Sequence, residues 1–212
     1  MQTKKRIILG SASPRRRELL EQIGISFEVR VKEEVYHSLI PEEIVKELAL
    51  SKAENVADDL REKQEQVKQI SFDKKNNVLL DTIVIGADTI VVSDGSILGK
   101  PKDEADAVRM IRSLQGRSHK VYTGVAILDY DDEGKRKSVV HAVETEVFVN
   151  PMSDEEIREY AATGEPLDKA GAYGIQGQFA AYIERIDGDY YNVVGLPVSY
   201  VYRQLKEIAE KD

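Results

Sequence analysis

Alternating apolar and polar positions divide the chain into predicted strands and helices. A short apolar strand over residues 7–9 leads through a small-residue turn into a helix that begins at Pro14. Residues 25–32 alternate apolar and polar side chains, which predicts a half-buried strand. A second helix is predicted to open at Pro41, because Ile44, Leu48 and Val56 follow helical spacing.

The second half of the chain is richer in β-branched residues. Residues 82–92 predict a strand buried on both faces, or two strands that share a kink at Gly86. Asp94-Gly95 is typical of a hairpin turn, and a helix is expected from about Asp103 to Leu114. We further expect long strands over 119–129 and 138–149, a helix opened by a capping box at Ser153, a strand over 179–186 and a C-terminal helix over 197–210.

Length, charge and cysteine content exclude several classes of protein. The 212 residues, 42% of them hydrophobic, suit one domain or two closely joined lobes with a sizeable core. A net charge of -8 argues against a non-specific nucleic-acid or membrane binder, although a small anionic substrate remains compatible. The chain has no cysteine, which excludes disulfides and thiolate chemistry. The first apolar run is too short for a signal peptide or a membrane span, so we expect a cytoplasmic location.

The start of the first helix is a candidate site for a polyanion. Ser13 is a plausible N-cap, and Arg15, Arg16 and Arg17 fall within one helical turn. Free backbone N–H groups, the positive end of the helix dipole, the hydroxyls of Ser11 and Ser13 and the guanidinium groups would together hold phosphate. The structural alternative is a capped helix whose arginines are solvated.

Isolated polar residues elsewhere suggest the rest of a site. Asp88 stands inside an apolar strand, where it must be paired, hydrogen-bonded or open to a cleft, with or without a metal; an ordinary turn-forming Asp at a strand end is the alternative. Lys52 interrupts the apolar stripe of its helix, either snorkelling at its edge or aimed at an anion. Lys100 before Pro101 would normally be an ordinary loop lysine. Gln176, in a glycine-rich segment, is either a loop residue or an amide that reads the edge of a base.

No familiar hydrolase motif is present, since the chain lacks G-x-S-x-G, H-E-x-x-H and the Walker sequence. Hydroxyls and arginines at a helix start, lysines, and carboxylates beside strands favour metal-assisted attack of water on a phosphoryl group. Basic residues would hold the polyphosphate, and carboxylates would hold a divalent ion and orient the water.

The motifs together resemble those of the Maf family of nucleoside triphosphate pyrophosphatases. The resemblance covers nearly the whole chain and rests on Ser11-Ala12-Ser13-Pro14-Arg15-Arg16, Lys52-Ala53, Gly86-Ala87-Asp88-Thr89, Gly99-Lys100-Pro101 and Asp168-Lys169-Ala170-Gly171-Ala172-Tyr173-Gly174-Ile175-Gln176-Gly177. The last segment resembles the branch acting on dTTP and UTP, not the branch acting on 7-methyl-GTP.

The resemblance implies a fold, a reaction and roles for individual residues. The implied fold is one Maf-like α/β domain over residues 1–212, two-lobed, with a strongly bent mixed sheet, flanking helices and a central cleft, as in inosine triphosphate pyrophosphatases. The implied reaction hydrolyses dTTP or UTP to the monophosphate and pyrophosphate with Mg²⁺ or Mn²⁺, in a homodimer; from the net charge we expect neither nucleic acid nor a membrane as partner. The resemblance makes Asp88 the proton acceptor, Glu34 or failing that Glu33 a metal-side carboxylate beside Asp88, Arg15, Thr89 and Gln176 the specificity residues, and Ser11, Ser13, Arg15, Arg16, Lys52, Lys100 and Lys169 the substrate or phosphate contacts.

Two departures from the family pattern and two alternative functions remain open at this point. The loop before Glu33 and Glu34 is about two residues shorter than expected, and the polar segment 61–79 is longer, which should change the surface and not the chemistry. The alternatives are a pyrophosphatase for another modified or purine nucleotide, such as 7-methyl-GTP, and a nucleotide-binding regulator of cell division with incidental hydrolysis.

Overall fold

A mixed β-sheet with helices on both faces forms the framework of the protein. The computed structural model describes residues 3–31, 37–70 and 78–211. Its strands are β1 (Arg6–Gly10), β2 (Glu28–Val29), β3 (Thr82–Ser93), β4 (Ser96–Leu98), β5 (Ser118–Tyr130), β6 (Arg136–Val149) and β7 (Ile183–Asp187). They form a 7-stranded sheet in the order β2-β1-β3-β5-β6-β7, with β4 paired to β3. β1 pairs in parallel with β2 and β3, while the remaining pairs are antiparallel.

The helices lie on the two faces of this sheet. They are α1 (Pro14–Gln22), α2 (Pro41–Ile70), α3 (Glu104–Leu114), α4 (Asp154–Ala162), α5 (Tyr190–Val194) and α6 (Val198–Ala209), with short 3₁₀ helices at Glu165–Asp168, Ala170–Ala172 and Gln178–Tyr182. Ile83, Ile85 and Ala87 of β3 face the larger core, which includes buried residues of α1, α3, α4 and α6. Val84 points the other way, into a core shared with α2. The alternation of β3 side chains therefore explains why both faces of this strand are apolar.

Glycines in neighbouring strands allow the backbone of α2 to lie directly on the sheet. A Cβ atom on Gly86 would lie 2.1 Å from the carbonyl oxygen of Ala49, and one on Gly124 would lie 2.0 Å from that of Val45. Gly10, the register partner of Gly86, lies close to the carbonyl of Lys52. Only residues without a side chain permit this approach. β3 is therefore one continuous strand, and the role of Gly86 is to admit the helix.

Most predicted elements are confirmed, with boundaries shifted by a few residues. The second helix begins at Pro41 as expected and continues through much of the polar segment to Ile70, while 71–77 lie outside the described residues. The capping box at Ser153 is present, and the hairpin turn at Asp94-Gly95 joins β3 to β4. The mixed α/β sheet with flanking helices agrees with the fold class expected from the sequence.

Two predicted strands are confirmed only in part, and the short α-helix α5 was not predicted. Of residues 25–32 only Glu28–Val29 pair with the sheet, and both are exposed at its edge, whereas Ile25 is buried in the larger core and Phe27 packs against that core before the strand begins. Residues 179–186 begin as the 3₁₀ helix Gln178–Tyr182, because Phe179 packs among aromatic rings before β7 starts. The short helix α5 is capped by the Asp189 side chain, which accepts from the N–H of Tyr191.

None of the helices in the described ranges 3–31, 37–70 and 78–211 combines the length and the apolar character that crossing a bilayer requires.

Candidate active site

One cleft brings together every predicted site residue that the structure describes. Its volume is about 690 Å³, and its walls come from the β1–α1 turn, α2, the middle of β3 and the segment 168–177. The lining includes all of the predicted binding, specificity and catalytic positions outside the undescribed stretches, namely Ser11, Ser13, Arg15, Arg16, Lys52, Asp88, Thr89, Lys100, Lys169 and Gln176. The start of α1 and the acidic position of β3 therefore face the same space.

The start of α1 leaves the Ser13 hydroxyl available to the cleft, while Ser11 is engaged in the turn. Pro14 occupies the first turn and Ser13 the N-cap position, but the Ser13 side chain makes no capping hydrogen bond. Ser11 Oγ instead organises the turn, since it accepts from the Ser13 N–H at 3.3 Å and from Arg16 Nη1 at 2.8 Å. Because no side chain caps the helix, the backbone N–H groups that follow Pro14, in residues lining the cleft, are available as donors for an anion.

Arg16 is buried and forms hydrogen bonds to three parts of the site: the β1–α1 turn, β3 and the end of α5. Besides Ser11, its Nε donates to the Gly195 carbonyl at 2.8 Å and its Nη2 to Thr89 Oγ1 at 2.9 Å. Burial lowers the pKa of this guanidinium, the negative charge of Asp88 opposes that effect, and the nearby Arg15 adds to it. Three of its N–H groups are thus committed to the protein, so Arg16 holds the cleft wall in addition to lining it.

Lys52 and Asp88 form an ion pair inside the cleft. Lys52 Nζ lies 2.5 Å from Asp88 Oδ1, and each side chain is only 19% exposed. The close seating of α2 over Gly86 places Lys52 above the carboxylate, which comes from the centre of β3 opposite Gly124. Asp88 is therefore paired and open to a cleft, as its position in an apolar strand required, and the alternative of a strand-end turn is excluded because β3 continues to Ser93.

The segment 168–177 supplies the opposite wall. Asp168 lies between two cations, with Arg15 Nη1 at 3.3 Å and Lys169 Nζ at 2.6 Å. Burial raises the pKa of Asp168, but the hydrogen bond and charge of Lys169, together with Arg15, outweigh it and lower the pKa overall. Gly171 and Ala172 both have positive φ, 71° and 61°, and the buried Ala172 marks local backbone strain beside the cleft.

The predicted metal-side glutamates lie outside the described part of the chain. Glu33 and Glu34 belong to residues 32–36, which follow the cleft-lining Val31. Within the described ranges, no cluster of three or more His, Cys, Asp or Glu side chains has the arrangement of a metal site. Asp88 nevertheless fits a Mg²⁺-type ion, because such ions commonly bind one or two carboxylates and complete their coordination with water and substrate phosphates.

The structure also identifies residues that the sequence did not single out. Thr123 Oγ1 lies 2.9 Å from Thr89 Oγ1 and donates to the backbone carbonyl of Asn192. The buried Asn192 side chain in turn donates to Thr145 Oγ1 at 2.9 Å. A polar chain thus runs from Arg16 across the sheet to α5. The buried threonines of β5 and β6 could have drawn attention in the sequence, but nothing there paired them with Arg16.

Comparison with known proteins identifies the family. The model of the family described as "Maf-like protein" matches residues 6–208. The chain belongs to the Maf-like protein family. Relatives named dTTP/UTP pyrophosphatase include one from Agathobacter rectalis, 46% identical over 95% of this chain and 97% of the relative. Others come from Dictyoglomus turgidum, 47% identical with 92% of each chain covered, and from Carboxydothermus hydrogenoformans, 45% identical over 95% of this chain and 98% of the relative.

A solved structure is similar at a much lower level. It is a nucleoside-triphosphatase (dITP/XTP pyrophosphatase) from Mycobacterium abscessus, with 18% identity and a TM-score of 0.31 over 67% of this chain and 72% of that chain. A similarity this low supports no conclusion about the Maf-like protein, so the fold shared with inosine triphosphate pyrophosphatases stays a prediction.

Proposed function

We propose that this Maf-like protein is a nucleoside triphosphate pyrophosphatase that hydrolyses dTTP and UTP to the monophosphate and pyrophosphate. The observation that carries the proposal is the shared cleft, in which a cationic helix start and the Lys52–Asp88 pair lie together. Relatives at about 46% identity with the name dTTP/UTP pyrophosphatase favour this substrate pair. We extend the activity in these names to the present chain on both grounds.

In this proposal the cations hold the polyphosphate and Asp88 handles the proton. The cationic side chains of Arg15, Lys100 and Lys169 line the cleft and would contact phosphate oxygens together with the N–H groups of α1. Asp88 would accept the proton of a water molecule whose oxygen attacks the α-phosphorus. The bond from the α-phosphorus to the oxygen that bridges to the β-phosphorus breaks, and pyrophosphate leaves with that oxygen.

A divalent cation, Mg²⁺ or Mn²⁺, is part of the same proposal. Asp88 and one of Glu33 and Glu34 would hold it, and when bound it would neutralise charge on the phosphate oxygens. Lys52 keeps the Asp88 carboxylate oriented toward the cleft. Arg16, anchored to Ser11, Thr89 and the Gly195 carbonyl, would keep the helix start aligned with that carboxylate.

A nucleotide panel with product identification tests the function. The purified protein would be incubated with dTTP, UTP, dCTP, purine triphosphates and 7-methyl-GTP, in Mg²⁺ and in Mn²⁺, and the products would be separated by chromatography. We expect dTMP or UMP and pyrophosphate in equal amounts from the first two nucleotides. Release of orthophosphate, or faster turnover of 7-methyl-GTP or a purine nucleotide, would contradict the assignment.

The regulatory alternative and the cellular properties are tested separately. Tight nucleotide binding without turnover in any divalent ion would favour a nucleotide-binding regulator of cell division. We also propose a homodimer, as the family resemblance implies, and a cytoplasmic location. Light scattering coupled to size-exclusion chromatography measures the first, and fractionation of the cells that produce the protein measures the second.

A further inference from the structure

A glutamine can select between pyrimidine bases only if its amide is held in one orientation. The amide presents a donor and an acceptor at nearly equal positions, so a flip about its terminal bond exchanges them. The base of dTTP or UTP offers an N–H donor beside a carbonyl acceptor, and that of dCTP offers the reverse pair. Gln176 lines the cleft with its side chain exposed. The backbone turn that carries Gln176 sets where this amide lies relative to the base, so the groups that hold the turn bear on its selectivity.

The Glu165 carboxylate holds both ends of that backbone turn. Its Oε2 accepts from the N–H of Gln178 at 3.1 Å, and its Oε1 accepts from the Tyr160 hydroxyl at 3.0 Å. The same hydroxyl accepts from the N–H of Gly174 at 3.3 Å. One carboxylate thus anchors the residues two positions before and two positions after Gln176, the first of them through Tyr160.

The surroundings of Glu165 make this anchor rigid. Tyr160 is only 3% exposed, and burial raises the pKa of its hydroxyl well above the usual range, so the hydroxyl keeps the proton that it donates. A Cβ atom on Gly177 would lie 2.0 Å from Glu165 Oε1, which means that the turn packs directly on the carboxylate. The Glu165 carbonyl also accepts from Lys169 Nζ at 2.5 Å. Glu165 therefore supports both the backbone turn that carries Gln176 and the side chain of Lys169.

We propose that Glu165, acting through Tyr160 and the backbone of 174–178, is a positioning residue for base selectivity, because it sets the orientation in which Gln176 meets the base. This inference rests on the proposed function, and it assigns a role to a residue that lies outside the predicted site. Glu165 touches neither the phosphates nor the water in this account. Its loss should change which base is accepted more than it changes turnover.

The test measures kcat and KM for dTTP and dCTP with Glu165→Ala, Tyr160→Phe and Glu165→Gln. Losing one well-aligned hydrogen bond corresponds to about a tenfold change, so the dTTP-to-dCTP ratio of kcat/KM should fall about tenfold for the first two variants, mainly through a higher KM for dTTP. The double variant Glu165→Ala/Tyr160→Phe should lower this ratio little further than either single variant, because both changes break the Glu165–Tyr160 hydrogen bond. Glu165→Gln, which retains the shape and one acceptor, should lose less. Glu159→Ala, an exposed change on α4, the helix that carries Tyr160, is the matched control.

A further variant moves the carboxylate without changing it. Gly177 has a negative φ of -93°, so alanine meets no left-handed backbone strain there, and Gly177→Ala should displace the Glu165 side chain and lower the same ratio. Hydrogen exchange of the free protein should show faster exchange over 174–178 in Glu165→Ala than in Glu159→Ala.

The outcomes separate this inference from the proposed function. An unchanged ratio, or an equal fall of kcat/KM for both nucleotides, overturns the positioning role. If the wild-type protein hydrolyses no nucleoside triphosphate, the proposed function fails, and the inference is then decided by equilibrium binding of dTTP and dCTP to the same variants. Equal preference of wild type and Glu165→Ala in that binding assay would overturn it.

Discussion

Replacing Gly86 with alanine should push α2 away from the sheet and separate Lys52 from Asp88. The new Cβ would lie 2.1 Å from the Ala49 carbonyl oxygen and 2.8 Å from the Ala53 nitrogen, whereas ordinary contacts are 3.4–4 Å. Both of these atoms belong to the backbone, so no side-chain rotation relieves the overlap. Overpacking in a core typically costs about 1–3 kcal/mol, and the fixed neighbours place this case at the upper end, near 3 kcal/mol.

Thermal unfolding and dTTP turnover would measure the two effects of Gly86→Ala. For a protein of this size, a loss of about 3 kcal/mol corresponds to a fall in Tm of about 6–12 °C. Turnover at a temperature where the variant is folded should also fall, because the displaced segment of α2 carries Lys52. Gly99→Ala is the matched control, since its Cβ would meet nothing within 4 Å. If Gly86→Ala were as stable and as active as Gly99→Ala, the seating of α2 would not be what positions the ion pair.

Two further predictions concern buried polar groups. Burial lowers the pKa of His119 from 6.5 to about 4, so the imidazole binds a proton more readily in the unfolded chain than in the folded one. The folded state is therefore stabilised by the neutral imidazole above about pH 6.5, and this stabilisation is lost as the pH falls toward 4. Between pH 7 and pH 5 the wild type should therefore lose about 2 kcal/mol more than His119→Gln, measured as the free energy of unfolding in urea; equal losses would mean that His119 takes up its proton in the folded state. Arg16→Lys should reduce stability by about 2–3 kcal/mol, because an ammonium group cannot reach Ser11, Thr89 and the Gly195 carbonyl together, and the exposed Arg17→Lys should change it little. The same urea titrations measure this difference, and a stable Arg16→Lys would show that the three hydrogen bonds contribute little.

The sequence was most informative where one local rule decides the structure. Pro14 after a serine indicated the start of α1, and an isolated carboxylate in an apolar strand indicated that Asp88 must be paired or face a cleft, as it does. Periodicity located most helices and the long strands, because each of them packs a continuous apolar face on the core.

Features set by tertiary contacts were not predictable in this way. The glycine at position 86 suggested a kink, but only the neighbouring helix shows that its function is close approach. Residues 179–186 have the composition of a strand, yet the chain forms a 3₁₀ helix at Phe179, where this ring packs against Tyr160 and Tyr173. The bonds from Arg16 to Thr89 and Gly195 join residues far apart in sequence, and no spacing rule relates them.

The central claim, that Asp88 accepts the proton while the cationic helix start holds the triphosphate, is tested most directly by Asp88→Asn. Its turnover of dTTP would be compared with that of Asp94→Asn, an exposed change in the β3–β4 hairpin, and dTTP binding would be measured by calorimetry on both. The account predicts that Asp88→Asn retains nucleotide binding while its kcat falls by about 10²–10⁴, the range typical of general-base removal. Turnover by Asp88→Asn at the rate of Asp94→Asn would contradict it.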